Sequence, residues 1–212
     1  MTYGIQVYNA SGYVQVDDGY TNYAMVQSGV GTINSKVNTI DLGSALDSVV
    51  FVRLPVGKWF DGVVMAPDGF WATGDPNAGG YSFEYRLYRR NDQIAAIDSQ
   101  YGFRVFRGNG SLVFDSLRNY PRLKSISIIP STAALPVVIP SIGVNPWIYG
   151  ATFGIHKMEN AGGYNLRAYY IRATVQSDFS IRIHSEFNTT TGFQLYNSPM
   201  YFSNPRQILL SI

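Results

Sequence analysis

The 212-residue sequence contains no cysteine and only two histidines, His156 and His184. Without cysteine the chain can form no disulfide, no thiolate metal site and no cysteine nucleophile. Two histidines are too few for a three-histidine metal site within one chain. These counts therefore exclude thiolate and three-histidine metal sites.

Charge is scarce as well, since 14% of the residues are charged, against about 25% in ordinary globular proteins. Sixteen basic and fourteen acidic residues leave a net charge of +2. No run of like charges indicates a nucleic-acid groove or a membrane-binding face. Because charge keeps free monomers apart, its scarcity favours a protein that works inside an assembly.

Targeting and membrane-spanning segments are also absent from the sequence pattern. The N-terminus lacks a basic region followed by an uninterrupted apolar run. The most apolar stretch, residues 126–144, is interrupted by Pro130, Pro136 and Pro140, which argues against a membrane span. We expect a soluble protein that is made in the cytoplasm and does not insert into membranes.

Aromatic and turn-forming residues are abundant. Aromatics make up 15% of the chain, with 16 tyrosines, and there are 21 glycines and 10 prolines. This composition favours strands and many turns over long helices. The apolar segments 48–54, 62–65 and 147–155 are typical of central strands. The sequence therefore predicts an all-β protein with almost no helix.

One internal repeat has the pattern of a β-hairpin. Residues 3–17 (YGIQVYNASGYVQVD) recur without gaps as residues 101–115 (YGFRVFRGNGSLVFD). Alternating apolar positions predict two strands, joined by a turn whose glycine needs a positive φ. The aspartate that ends each copy is expected to accept hydrogen bonds from nearby backbone N–H groups. The positions assigned to this hairpin scaffold are Gly4, Gly12, Asp17, Gly102, Gly110 and Asp115.

A second repeat, NAGGY, occurs at residues 77–81 and again at residues 160–164. It predicts a Gly-Gly bend that leads into a long strand, and no helix N-terminus follows that could make it a phosphate loop. Together the repeats predict antiparallel β-sandwich units with a duplicated hairpin motif. We place these units at residues 1–97 and 98–212, with the alternative that both pack as one.

Six residues beside turns are candidates for contacts with a partner or a glycan: Trp59, Phe60, Phe70, Trp71, Asp75 and Asn77. Loop aromatics with nearby polar groups suit a sugar ring, but they also suit a subunit interface or the open end of a sandwich. The two histidines lie in segments with the residue pattern of a strand and are expected to be outward-facing polar residues. No Gly-x-Ser-x-Gly elbow anchors a hydrolase triad, and we predict that the protein is not an enzyme.

The hairpin repeat resembles a known segment. Both copies are similar to the YG-x-x-V-[YF]…G…D segment of small structural proteins associated with the tail tip or baseplate of long-tailed bacteriophages. The resemblance implies a virion protein that carries no metal or other cofactor, is made in the host bacterial cytoplasm and becomes part of the tail. It further implies protein–protein contacts with other tail proteins or fibres and a homo-oligomer, for which a trimer would fit a three-fold tail tip. The alternative is a carbohydrate-binding β-sandwich that attaches to a host-surface glycan.

Overall fold

The chain folds into antiparallel β-strands. A computed structural model describes residues 6–8, 14–17, 22–34, 37–43, 47–74, 80–95, 97, 101–129, 136–149, 155–160, 166–188 and 206–211. In these ranges the only helical segment is a single 3-10 turn at Asn91–Gln93. The strands are β1 (Gln6–Tyr8), β2 (Val14–Asp17), β3 (Tyr23–Ile33), β4 (Val37–Asp41), β5 (Ser48–Arg53), β6 (Trp59–Ala66), β7 (Gly69–Gly74), β8 (Tyr81–Arg90), β9 (Arg104–Phe106), β10 (Leu112–Asp115), β11 (Leu123–Ile129), β12 (Val137–Ile139), β13 (Trp147–Tyr149), β14 (Ile155–Asn160), β15 (Leu166–Val175), β16 (Ile181–Asn188) and β17 (Arg206–Ser211).

Two larger sheets form a β-sandwich, which confirms the predicted fold class. One sheet has six strands in the order β11-β17-β13-β5-β8-β3, and the other has the order β12-β16-β15-β6-β7-β4 with β14 beside β15. Aromatic rings join the two sheets: Phe60 lies 5.8 Å from Phe83, and Phe70 lies 5.3 Å from Tyr85, between ring centroids. All four rings are buried, and along β8 Phe83 and Tyr85 alternate with polar residues, as expected for the inner face of a sandwich.

Glycines on β3 allow the large rings of β8 to lie over their neighbouring strand. A Cβ atom on Gly31 would come within 2.5 Å of the Phe83 ring, and one on Gly29 would come within 2.6 Å of the Tyr85 hydroxyl. Such distances are far below van der Waals contact, so only glycine fits without movement of the rings. The glycine positions of β3 therefore help to fix the aromatic layer of the core.

Two of the three predicted central strands are confirmed by the sheet order, but the segment 147–155 is not a single strand. Trp147–Tyr149 forms β13 inside the six-stranded sheet, whereas Ile155 begins β14, which pairs with β15 in the other sheet. In the six-stranded sheet β5 lies between β13 and β8, and in the other sheet β6 lies between β15 and β7. The residues following the two NAGGY segments form β8 and β15, the two longest strands after β3, and each lies inside a different sheet. Gly80 in the first bend has a φ of 62°, a conformation that glycine adopts without strain.

The duplicated hairpin is present twice with the same register. In both copies the pairing shifts by one residue at the same place, leaving Gln15 in the first and Val113 in the second as the extra residue of a bulge. The predicted positive φ of Gly110 is confirmed at 82°, and Gly102 has a φ of 117°. Gly4 and Gly12 lie outside the described residues.

The matching registers can be compared pair by pair. The Cα partners are Gln6 with Asp17, Val7 with Val16 and Tyr8 with Val14 in the first copy, and Arg104 with Asp115, Val105 with Phe114 and Phe106 with Leu112 in the second.

The chain divides into two compact units. A hairpin unit comprises Met1–Ser28, Asp47–Val49 and Arg86–Pro121, and it contains both copies of the hairpin. A sandwich unit comprises Gly29–Leu46, Val50–Tyr85 and Arg122–Ile212. Each unit takes residues from both sides of position 97, where the sequence analysis placed a boundary. Long strands such as β3 and β8 supply residues to both units. The division between the units arises from strand pairing between distant segments, which does not change the local amino-acid composition.

Candidate interaction surfaces

Two of the aromatic residues predicted to make surface contacts belong to the core. Phe60 in β6 and Phe70 in β7 are fully buried, so neither offers a ring face to a sugar or a partner. The sequence analysis placed them beside turns, but they lie within strands and point to the inner side of the sandwich. Trp71, the next residue after Phe70, is 44% exposed, because successive residues of a strand point to opposite faces.

The other candidates of that group receive no test from the structure. Trp59 is the first residue of β6, and its side chain is not among those described. Asp75 and Asn77 lie outside the described residues. Trp71 is therefore the one member of the predicted group with a described, exposed side chain.

The edge strand β11 exposes two of its isoleucines, whereas a third, Ile129 at its end, is buried. Ile126 is 59% exposed and Ile128 is 64% exposed. Ser125 lies opposite Leu210, which in turn lies opposite Ile148, and both apolar partners are buried. Opposed residues share a face of the sheet, so β11 directs serine toward the core and isoleucine toward solvent, the reverse of the usual pattern for an edge strand.

The exposed isoleucines continue a row of apolar residues across the outer face of the six-stranded sheet. Phe51 and Tyr149 are opposed in register, with ring centroids 5.7 Å apart. Trp147 lies on the same face, where the guanidinium of Arg53 sits 4.7 Å from its ring centroid and also pairs with Glu84. Phe51 and Trp147 are buried, whereas the β11 end of this row is open. We call Leu123, Ile126 and Ile128 the edge patch.

Backbone groups add to the exposure of this patch. Among the described strands β11 has one hydrogen-bonded neighbour, β17, so its other side forms the end of the sheet. Monomeric proteins usually protect such an edge with proline, several charges or a covering segment. Within β11 the only charged residue is Lys124. Within the described part of the chain, β11 therefore combines a backbone edge that pairs with no strand and exposed isoleucine.

Asp115 anchors the second hairpin through a dense set of hydrogen bonds. Its buried carboxylate accepts one from Arg104 Nε at 3.1 Å and one from the backbone N–H of Leu117 at 3.0 Å. The second contact confirms the predicted role of Asp115 at the end of its strand. The equivalent residue of the first copy, Asp17, pairs with Gln6, and its side chain is not among those described.

Tyr120 completes this anchor. Its hydroxyl donates to the backbone oxygen of Asp115 at 3.0 Å and accepts from the Asp115 N–H at 2.8 Å and from Asn91 Nδ2 at 2.8 Å. Its ring stacks on Phe114 with centroids 5.0 Å apart. Burial raises the pKa of the Tyr120 hydroxyl, which stays protonated as the donor that this geometry needs. The network holds the hairpin in place.

Neither a metal-binding cluster nor a membrane-spanning helix is present among the described residues. The described side chains contain no group of three or more His, Cys, Asp or Glu residues placed to hold a metal ion. In the part of the chain that the structure describes, no helix is long and apolar enough to cross a membrane.

Comparisons with protein-family models, curated proteins and solved structures found no match for this chain. Its function must therefore be inferred from its own residues.

Sequence reasoning missed the edge patch. The Ser-Ile-Ser-Ile alternation of residues 125–128 was a usable signal for a strand with one apolar face. The alternation does not tell which face of β11 points toward the core, because that depends on how β11 pairs with β17. The register provides this information, and it places the isoleucines outside.

Proposed function

We propose that this protein is a structural component of a bacteriophage virion, located in the tail tip, baseplate or fibre-attachment region. It acts through protein–protein contacts with other tail proteins and with copies of itself. The observation that carries the assembly role is the edge patch, in which an edge strand exposes Ile126 and Ile128 and turns half-buried serines toward the core. This arrangement is unfavourable in a free monomer and favourable once a neighbour covers it.

The gain from covering the patch can be gauged from its exposure. Full burial of an isoleucine side chain stabilises by about 1.5–3 kcal/mol. Since Ile126 and Ile128 are both more than half exposed, covering them contributes about 1–2 kcal/mol each by the same rule. Backbone hydrogen bonds to the unpaired edge of β11 add to this. These contacts supply part of the free energy that must offset the cost of association.

The virion assignment rests on the resemblance of the hairpin motif to tail proteins. The two copies of that motif have one register and one bulge position, which supports the interpretation that they are a duplicated scaffold. A low content of charge agrees with a protein that is covered by neighbours. On this proposal the chain has no enzymatic activity, is made in the host bacterial cytoplasm and ends in the tail.

The test compares wild-type protein with the double variant Ile126→Thr/Ile128→Thr, which keeps β-branched residues on the strand. A matched control is Val138→Thr, since Val138 is also 59% exposed and lies on the edge strand β12 of the other sheet. Sedimentation velocity should show wild-type and control oligomers and a shift to monomer for the double variant, with unchanged circular dichroism.

Incorporation into particles tests the virion role separately. Phage particles purified from lysed host cells should contain the wild-type chain, detected by mass spectrometry and located on the tail by immunogold electron microscopy. The double variant should be depleted from particles while the Val138→Thr protein is retained. A wild-type chain that is monomeric at all concentrations and absent from particles would contradict the proposal.

A further inference from the structure

The outer face of the seven-stranded sheet differs chemically from the edge patch. On β15 and β16, Arg172 lies opposite His184 and Thr174 lies opposite Arg182. Their strand neighbours Ala173 and Ile183 are fully buried in the core, so alternation places these four residues on the outer side. We call Arg172, Thr174, Arg182 and His184 the basic cluster.

The cluster brings two guanidinium groups and one imidazole close together. Directly opposed residues of an antiparallel pair have Cβ atoms about 5 Å apart, and diagonal neighbours are about 7–8 Å apart. His184 Nε2 lies 3.2 Å from Thr174 Oγ1. Asp61 lies 2.7 Å from Arg172 Nε. This carboxylate is the one described acidic group in direct contact with the cluster.

Arg172 and Asp61 are 6% and 3% exposed, so their ion pair is shielded from solvent and the accessible charge of the cluster is that of Arg182. Arg182 is exposed, and among the described side chains no carboxylate forms an ion pair with it. Glu186 follows two residues after His184 on β16, and its side chain is outside the described set. Burial, together with Arg182 and Arg172, lowers the pKa of His184. An anion held beside Arg182 would relieve this repulsion.

The same outer face carries an exposed aromatic ring. Trp71 on β7 is opposed by Thr39 on β4, and Thr73 occupies the next outward position of β7. An exposed tryptophan with hydroxyl groups beside it provides an apolar surface for the C–H face of a sugar and polar partners for its hydroxyls. From β7 across β6 and β15 to β16 there are three strand spacings, about 14 Å. Trp71 is opposed to Val64 of β6, whereas Arg182 aligns through Thr174 with Trp59, so the two residues are also offset by about 15 Å along the strands. Several linked sugar rings are needed to reach from one to the other.

We infer that the outer face of the seven-stranded sheet binds an acidic polysaccharide, with an oxyanion at Arg182 and His184 and a sugar ring on Trp71. The positive charge of the cluster argues for an anionic ligand, and the tryptophan argues for a glycan. Carboxylates of uronic acids and phosphates of phosphorylated sugars share the required oxyanion chemistry. This site lies apart from the edge patch and goes beyond an assembly role.

Binding is measured by isothermal titration with four probes: tetragalacturonate, a phosphorylated lipopolysaccharide-core oligosaccharide, neutral maltotetraose and inorganic phosphate. At least one acidic oligosaccharide should bind more tightly than both maltotetraose and inorganic phosphate. The preferred acidic probe identifies the source of the oxyanion. Its binding should also raise the pKa of His184, followed through the imidazole signals by NMR.

Three variants make the assignment specific. Arg182→Gln should weaken binding of the acidic oligosaccharide by about tenfold or more, as expected for loss of a charged hydrogen bond. The matched control Arg122→Gln, at another exposed arginine, should leave affinity unchanged. Trp71→Ala should weaken binding of the oligosaccharide without changing the affinity for inorganic phosphate.

The inference fails if neither acidic oligosaccharide binds better than maltotetraose, or if Arg182→Gln binds as tightly as wild type. It also fails if Trp71→Ala has no effect, because the site would then take a simple anion. The double variant Ile126→Thr/Ile128→Thr should retain glycan binding, so the failure of the assembly proposal and the failure of this one are distinguishable.

Discussion

Asp61 and Arg172 form a buried ion pair, and the substitution Asp61→Asn removes one charge of this pair while keeping the shape of the side chain. The residues are 3% and 6% exposed, and Arg172 Nε donates to Asp61 Oδ1 over 2.7 Å. Removing one partner of a buried pair costs about 3–5 kcal/mol, because the remaining charge stays out of water without its counter-charge. That is a large part of the total free energy of unfolding of an ordinary domain, about 5–15 kcal/mol.

Thermal and urea unfolding measure this effect directly. For a chain of this size each kcal/mol shifts the Tm by about 2–4 °C, so Asp61→Asn should lower the Tm by about 6–20 °C. The matched control is Glu84→Gln, which removes the carboxylate of the exposed pair with Arg53. Exposed pairs contribute about 0–1 kcal/mol, so this control should change the Tm by only a few degrees.

A comparable loss in both variants would refute the reasoning, and so would an Asp61→Asn protein as stable as the wild type. In the second case the guanidinium of Arg172 would have to be solvated or paired in another way. The double variant Asp61→Asn/Arg172→Met adds a further check. It should recover part of the lost stability, since no unpaired buried charge remains.

Two further outcomes follow from the backbone of the second hairpin and from the basic cluster. Gly110→Ala should destabilise by about 1–2 kcal/mol, because a φ of 82° is unfavourable for residues with a Cβ atom. Gly108→Ala is the control, since a Cβ atom meets open space at both positions and Gly108 has no positive φ; equal losses in urea unfolding would contradict this. The pKa of His184 is lowered from its ordinary value of 6.5 by burial and by two arginines. As the pH falls, the His184 imidazole is therefore protonated first in the unfolded chain. The free energy of unfolding should decrease from about pH 6.5 downward, until the pH passes the lower pKa of the folded state. The variant His184→Gln should show a flatter stability profile between about pH 5 and pH 8, and an unchanged slope would contradict the assignment.

Much of the local structure follows from residue pattern. The hairpin repeat, the glycine with a positive φ at Gly110 and the hydrogen bond from the Leu117 N–H to Asp115 were all predictable, because turns and strand ends depend on a few neighbouring residues. The aromatic candidates were only partly predictable. Phe70 and Trp71 are adjacent and chemically alike, yet Phe70 lies in the core and Trp71 lies on the surface.

Composition and periodicity alone determined that this chain is an all-β protein with a duplicated hairpin and without cysteine chemistry. These properties depend on turn residues, strand alternation and residue type, which act over short stretches of chain. Only the tertiary structure decided that β11 exposes Ile126 and Ile128, that Asp61 reaches Arg172 and that Arg172 lies opposite His184. The physical reason is that strand register and inter-sheet packing set which face of each strand is buried, and both arise from contacts between residues far apart in the chain.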